Sequence, residues 1–170
     1  MRNVLYVMAA SLVCFTVAAA QSHNAVAVLK PTQGNDVKGT VRFDEKNGKT
    51  RIVADVTGLQ PGKHGLHVHE KGDCSAPDAT SAGGHFNPEN KPHGAPDAAE
   101  HHVGDLGNLE ADAKGKARLS QTVDFLTVGD GPHSVAGKAV IVHAQPDDLK
   151  SQPVGNAGAR LACGVVERKK

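Results

Sequence analysis

A chain of 170 residues suits one domain with room for a real hydrophobic core. Its 19 basic and 18 acidic residues leave a formal net charge of +1. That balance argues against nucleic-acid binding, which relies on basic patches, so any attraction for an anion must come from local charge.

The first twenty residues read apart from the rest. Arg2 supplies a positive start, an apolar run covers 4–17, and Ala18-Ala19-Ala20 offers a cleavage site before Gln21. This is the layout of a secretory signal peptide over 1–20, with the mature domain over 21–170. A membrane anchor is the competing reading, but the run is short and barely flanked by charge. Cys14 would suit lipid attachment after a small residue, and Val13 is bulkier than that. No other segment is apolar enough to span a bilayer. Arg2 is the leader's only charge, so the mature chain is formally neutral.

Cleavage after Ala20 leaves Gln21-Ser22-His23 at the new terminus. A free amine, two backbone amides and the third-residue imidazole can hold copper(II) in a plane. His23 is therefore an expected auxiliary copper ligand on a tail ahead of the first strand. The competing reading is an ordinary terminal histidine.

Short β-like runs fill the mature sequence, without a helical period. Residues 25–29 are apolar. Val37, Gly39, Val41 and Phe43 alternate with Lys38, Thr40 and Arg42. Similar runs cover 51–57, 65–70, 116–123, 138–143 and 160–166, punctuated by turns such as Lys46-Asn47-Gly48. The expected class is all-β, an antiparallel sandwich or barrel. Two stretches, 72–101 and 144–159, are long, rich in Gly and Pro, and carry histidines or carboxylates. Loops of that length in compact domains favour a functional role.

Metal chemistry accounts for six of the ten histidines. His67 and His69 lie two apart on a predicted strand, so both imidazoles share a face while Leu66 and Val68 point into the core. His143 ends the run 139–143, facing outward if Val140 and Val142 face in. His85, His93, His102 and Asp105 form a second group. Three imidazoles and one carboxylate make a closed tetrahedral set that suits zinc. An imidazole-rich site with an open position suits copper, although imidazole alone does not separate the two metals. His64, His101 and His133 fit no ligand position and read as solvent-exposed or as neighbours of the ligands.

The mature chain keeps Cys74 and Cys163. In an oxidising compartment a lone pair favours a disulfide, with two free buried thiols as the alternative. The bond would close a loop of about 90 residues and contribute roughly 4–5 kcal/mol in the chain-entropy model.

Four segments carry a family resemblance: Gly65-Leu66-His67-Val68-His69-Glu70, Gly84-His85-Phe86-Asn87-Pro88, His102-Val103-Gly104-Asp105-Leu106-Gly107-Asn108 and residues 155–164 around Arg160 and Cys163. Together they resemble the copper,zinc superoxide dismutases across nearly the whole mature chain. Gly72-Asp73-Cys74 and Ser81-Ala82-Gly83-Gly84-His85 look most like the exported bacterial branch. The resemblance implies an eight-stranded Greek-key barrel or sandwich with two long functional loops. It implies copper on His67, His69, His85 and His143, and zinc on His85, His93, His102 and Asp105, with His85 as the shared bridge. It also implies the Cys74–Cys163 disulfide and a carboxylate, Asp147, linking His67 to His93. Arg160 matches the arginine beside the open copper position, where a fixed guanidinium would attract and orient the superoxide anion. The implied reaction turns superoxide into dioxygen and hydrogen peroxide in the periplasm or outside the cell, and the implied assembly is a homodimer. Two other readings stay open on sequence alone: an exported copper and zinc buffer, and an interaction module on the same fold.

Overall fold

The computed structural model describes residues 22–169. The expected leader, its cleavage point and Gln21 lie outside them. Eight strands run in chain order: β1 (Ser22–Pro31), β2 (Lys38–Lys46), β3 (Lys49–Thr57), β4 (Gly62–His69), β5 (Asp105–Ala111), β6 (Lys116–Val123), β7 (Ala139–His143) and β8 (Arg160–Arg168). All pairings are antiparallel and close a barrel in the order β1-β2-β3-β6-β5-β4-β7-β8. The chain skips two neighbours between β3 and β4 and crosses again between β6 and β7, as the Greek-key expectation requires. One 3₁₀ turn, Thr80–Ala82, interrupts the long loop. No helix among the described residues is long and apolar enough to cross a membrane.

Period-two alternation builds the wall. On β2, Val41 and Phe43 are fully buried, while Arg42 between them is half-buried and Asp44 after them faces solvent. Leu66 and Val68 of β4 and Val140 and Val142 of β7 fill the same interior. Each such fully buried side chain contributes about 1.5–3 kcal/mol of transfer free energy. The other face of β4 and β7 therefore carries His67, His69 and His143, paired in register with Ile141, Ala139 and Arg160. That face is buried too, because the two long loops fold over it. Ala139 and Ile141 pack there against Ala79, Ala82 and Cys163. The Cys74–Cys163 disulfide, with Cα atoms 5.8 Å apart, ties the first loop to β8.

One strand departs from the sequence reading. β5 has no clean alternation, since Leu106 and Leu109, three apart, are both buried in the core. Between His67↔Asp105 and Gly65↔Asn108 the register gains one residue on β5, with Gly107 at φ 79. This bulge resets the inward face, and the positive φ favours glycine.

His23 does not lie on a tail ahead of the first strand. It sits within β1, opposite Glu45 of β2. Lys169 N donates to Asn24 O at 2.8 Å, so Asn24 faces β8 and the backbone of His23 faces β2. Its side chain lies on the same face as Ala25 and Ala27, against Gly129 at the barrel end. Glu45 fixes that end by accepting from Val128 N and Gly129 N at 2.7 and 2.8 Å. Chelation through the His23 amide would require that strand end to leave its ladder.

Candidate metal centre

β4 delivers the first two imidazoles by alternation alone. His67 and His69 are 0% and 1% exposed on the outer face, under the loops. His85 arrives because its segment runs alongside β4: Phe86 N donates to Val68 O at 2.8 Å and Glu70 N to Gly84 O at 2.9 Å. His143 ends β7, and a register shift after Val142 sets it opposite Arg160 at the start of β8. His93 comes from the long loop, His102 from the loop's end and Asp105 from the first position of β5. The ligand-type atoms of His67, His69, His85 and His143 lie within 4.8 Å of one another, and so do those of His85, His93, His102 and Asp105. All are buried, and His85 belongs to both groups.

Hydrogen bonding decides which nitrogen of each ring remains free. His69 Nδ1 donates to Gly83 O at 2.9 Å and His143 Nδ1 to Gly158 O at 3.2 Å. Their Nε2 atoms are then lone pairs only 3.4 Å apart. His67 Nε2 donates to Asp147 Oδ2 at 2.8 Å, leaving Nδ1 without a partner, and His85 Nε2 is likewise unpartnered. Four lone pairs converging in a buried space repel unless a cation lies between them. The second group converges on a carboxylate instead. His93 Nε2 donates to Asp147 Oδ1 at 2.9 Å, while its Nδ1 lies 3.0 Å from Asp105 Oδ2 without a hydrogen bond. His85 Nδ1 and His102 Nδ1 lie 2.8 and 3.3 Å from Asp105 Oδ1. Three imidazoles and a carboxylate fit zinc, and four imidazoles fit copper.

Electrostatics prepares both groups. Burial, followed by repulsion from His85, holds His69 down at about 2. Burial likewise lowers His143 to about 3 and His85 to about 4. At neutral pH these three rings are lone-pair donors. Burial pulls His93 down as well, but the Asp105 and Asp147 carboxylates facing its two ring nitrogens outweigh it and raise the ring to about 9. Against the cost of burial, the imidazoles of His102, His85 and His93 around it hold Asp105 well below the usual carboxylate range.

A family model for copper/zinc superoxide dismutase (SODC) matches residues 37–166. The chain belongs to the copper/zinc superoxide dismutase family. It is an enzyme that acts on superoxide, with copper and zinc as its cofactors.

In this dismutase Arg160 stands beside His143, with its guanidinium tied down. Its NH1 donates to Ala79 O at 2.6 Å and its NH2 to Gly83 O at 2.7 Å. Gly83 O thus anchors both His69 and Arg160, which the sequence could not show. Asp147 accepts from both His67 and His93. Gly155 makes that link possible: a Cβ there would lie 1.9 Å from Asp147 Oδ1, and its φ is +66. His64, His101 and His133 join neither metal group. His64 is buried between His143 O (2.9 Å) and Gln60 O (2.8 Å), not exposed. His101 packs on Phe125, and His133 pairs with Glu89 at 2.8 Å.

Proposed function

We propose that His67 Nδ1 and the Nε2 atoms of His69, His85 and His143 hold copper. On this reading zinc is held by the Nδ1 atoms of His85, His93 and His102, together with Asp105. The observation that carries this reading is His85, whose Nε2 faces the first group unpartnered while its Nδ1 faces Asp105. Bound copper would supply a one-electron redox cycle, through which two superoxide anions and two protons give dioxygen and hydrogen peroxide. His85 Nε2, whenever it is not holding copper, is the atom that can carry one of the two protons hydrogen peroxide needs, the other coming from solvent, and the ring is kept in place from its Nδ1 side. Arg160 keeps a fixed positive charge near His69 and His143, where it attracts and orients the anion. The buried second group sets the geometry of His85 through Asp105.

We further place the enzyme in the exported bacterial branch, protecting the periplasm or the cell exterior from superoxide. The leader-like first twenty residues and the bonded Cys74–Cys163 pair support that location. A homodimer would need a self-complementary apolar face. Val28, 56% exposed, lies with Val26 and Val165 in a groove flanked by Lys30 and Glu167. A two-fold axis there would set Lys30 of each copy near Glu167 of the other.

The test of the bridge is His85→Ala. Activity should fall strongly while copper still binds through His67, His69 and His143. With cobalt in place of zinc, the copper–cobalt magnetic coupling of the parent should vanish. Full activity in this variant refutes the bridging assignment. Metal binding without superoxide turnover in the parent would favour a metal buffer instead.

A further inference from the structure

The second loop reaches the proposed zinc group twice. Asp147 holds the ring of His93 at 2.9 Å. Five residues later, Gln152 holds its main chain. Gln152 Oε1 accepts from His93 N at 2.7 Å, and Gln152 Nε2 donates to His93 O at 2.9 Å and to Lys150 O at 3.1 Å. His93 lies in no strand or helix, so a side-chain amide serves both of its backbone groups as a neighbouring strand would.

Gln152 is itself presented by a braced loop. Asp148 Oδ1 accepts from Lys150 N and Ser151 N at 3.0 and 2.8 Å, and Asp148 N donates to Gly155 O at 2.9 Å. The loop is pinned to the barrel by a second amide used in the same way. Asn108 of β5 accepts from Asp147 N at 2.8 Å and donates to Asp147 O at 2.9 Å. A continuous set of bonds therefore runs from β5 through Asp147 and the loop to both ends of His93.

We propose that Gln152 is a positioning residue of the zinc subsite, which sets where His93 Nδ1 points before the metal arrives. This rests on the zinc assignment above. Without the clamp, the His93 peptide must be ordered at the moment of binding, and that ordering is subtracted from zinc affinity. The Gln152 side chain is largely exposed and belongs to no hydrophobic cluster, so its removal takes away bonds rather than packing. Asp147 still holds the ring, so zinc binding weakens without being lost. Copper binding, whose ligands Gln152 does not touch, changes little.

The experiment compares Gln152→Leu and Gln152→Glu with the parent in the full mature protein. Zinc and copper affinities are measured separately by chelator competition. Cobalt(II) in the zinc group gives a visible spectrum, and hydrogen exchange reports the His93 amide. Gln152→Leu should weaken zinc roughly five- to tenfold, the low end for two solvent-accessible hydrogen bonds. It should also shift the cobalt spectrum and speed exchange at His93, with copper affinity held within about twofold. Gln152→Glu keeps the acceptor for His93 N and loses the donor, so it should fall between the two. A zinc affinity for Gln152→Leu within twofold of the parent overturns the proposal, as does an equal loss of copper and zinc. If zinc affinity of the parent is unchanged by His102→Ala and Asp105→Ala, the metal assignment fails instead.

Discussion

Replacing Asp147 by asparagine exchanges one oxygen for NH₂ and leaves the shape of the side chain alone. Asp147 is buried, and three donors meet its carboxylate. His67 Nε2 lies 2.8 Å from Oδ2, while His93 Nε2 (2.9 Å) and Leu149 N (2.7 Å) both address Oδ1. The Leu149 amide can only donate, so the remaining oxygen stays on the side of His93 and Leu149, and the new NH₂ faces His67 Nε2. A neutral imidazole carries one proton. With Nε2 now facing a donor, that proton moves to Nδ1, the nitrogen proposed to hold copper. Copper binding must reverse the tautomer and leave two N–H groups opposed in a buried space. Loss of such a partner costs about 10- to 100-fold in metal affinity, or about 1.4–2.8 kcal/mol. Zinc, whose side keeps both bonds, should weaken by less than about fivefold. The assay is separate titration of the metal-free protein with copper and zinc against a competing chelator, with nitrogen NMR to read the His67 tautomer. A larger loss for zinc than for copper, or a His67 proton that stays on Nε2, refutes the reasoning.

Arg160→Ala should slow turnover with both metals retained and flatten the dependence on salt, because screening acts on what the charge supplied; Arg160→Glu should be slower still. Equal rates for the parent and the Glu variant at low salt would remove Arg160 from substrate guidance. Zinc uptake by the metal-free protein should release a proton, since His93, raised to about 9 by Asp105 and Asp147 against burial, is protonated at neutral pH. The bound proton competes with the metal below that value, so zinc affinity should rise with pH and level off near 9. Copper uptake lacks this slope from His69, His85 and His143, which are held at about 2, 4 and 3 chiefly by burial. Calorimetry in buffers of different protonation enthalpy checks both, and zinc affinity that is flat from about pH 6 to 8 contradicts the first. Reducing Cys74–Cys163 frees the loop that carries Ala79 O and Gly83 O, the two acceptors of Arg160. It should cost roughly 4–5 kcal/mol of stability and lower turnover with metals bound, and two free thiols in a fully active sample would contradict that.

The barrel wall was legible because each strand states its inward face locally. Val41 and Phe43 alternate with polar neighbours, and Leu66 and Val68 alternate with the two histidines. That same alternation put His67 and His69 on one outer face, which is why part of the centre could be read before any fold was known. β5 was illegible for the converse reason: its bulge at Gly107 places Leu106 and Leu109 on one side at a spacing that belongs to no regular strand. The tail placement of His23 failed on a boundary. Its inward position follows the phase of Ala25 and Ala27, but the partners that hold it there, Glu45 and Gly129, are distant in sequence. The amide clamps are less visible still. Asn108 and Gln152 look like ordinary loop and strand polar residues, and only the fold brings each against both backbone groups of a residue 39 or 59 positions away. Ligand identity is a matter of residue type and short spacing, whereas ligand placement is long-range hydrogen bonding. A chain keeping every histidine and Asp105 but losing Asn108, Asp147 and Gln152 would carry the same motifs, and its His93 would no longer be aimed at the metal by the second loop.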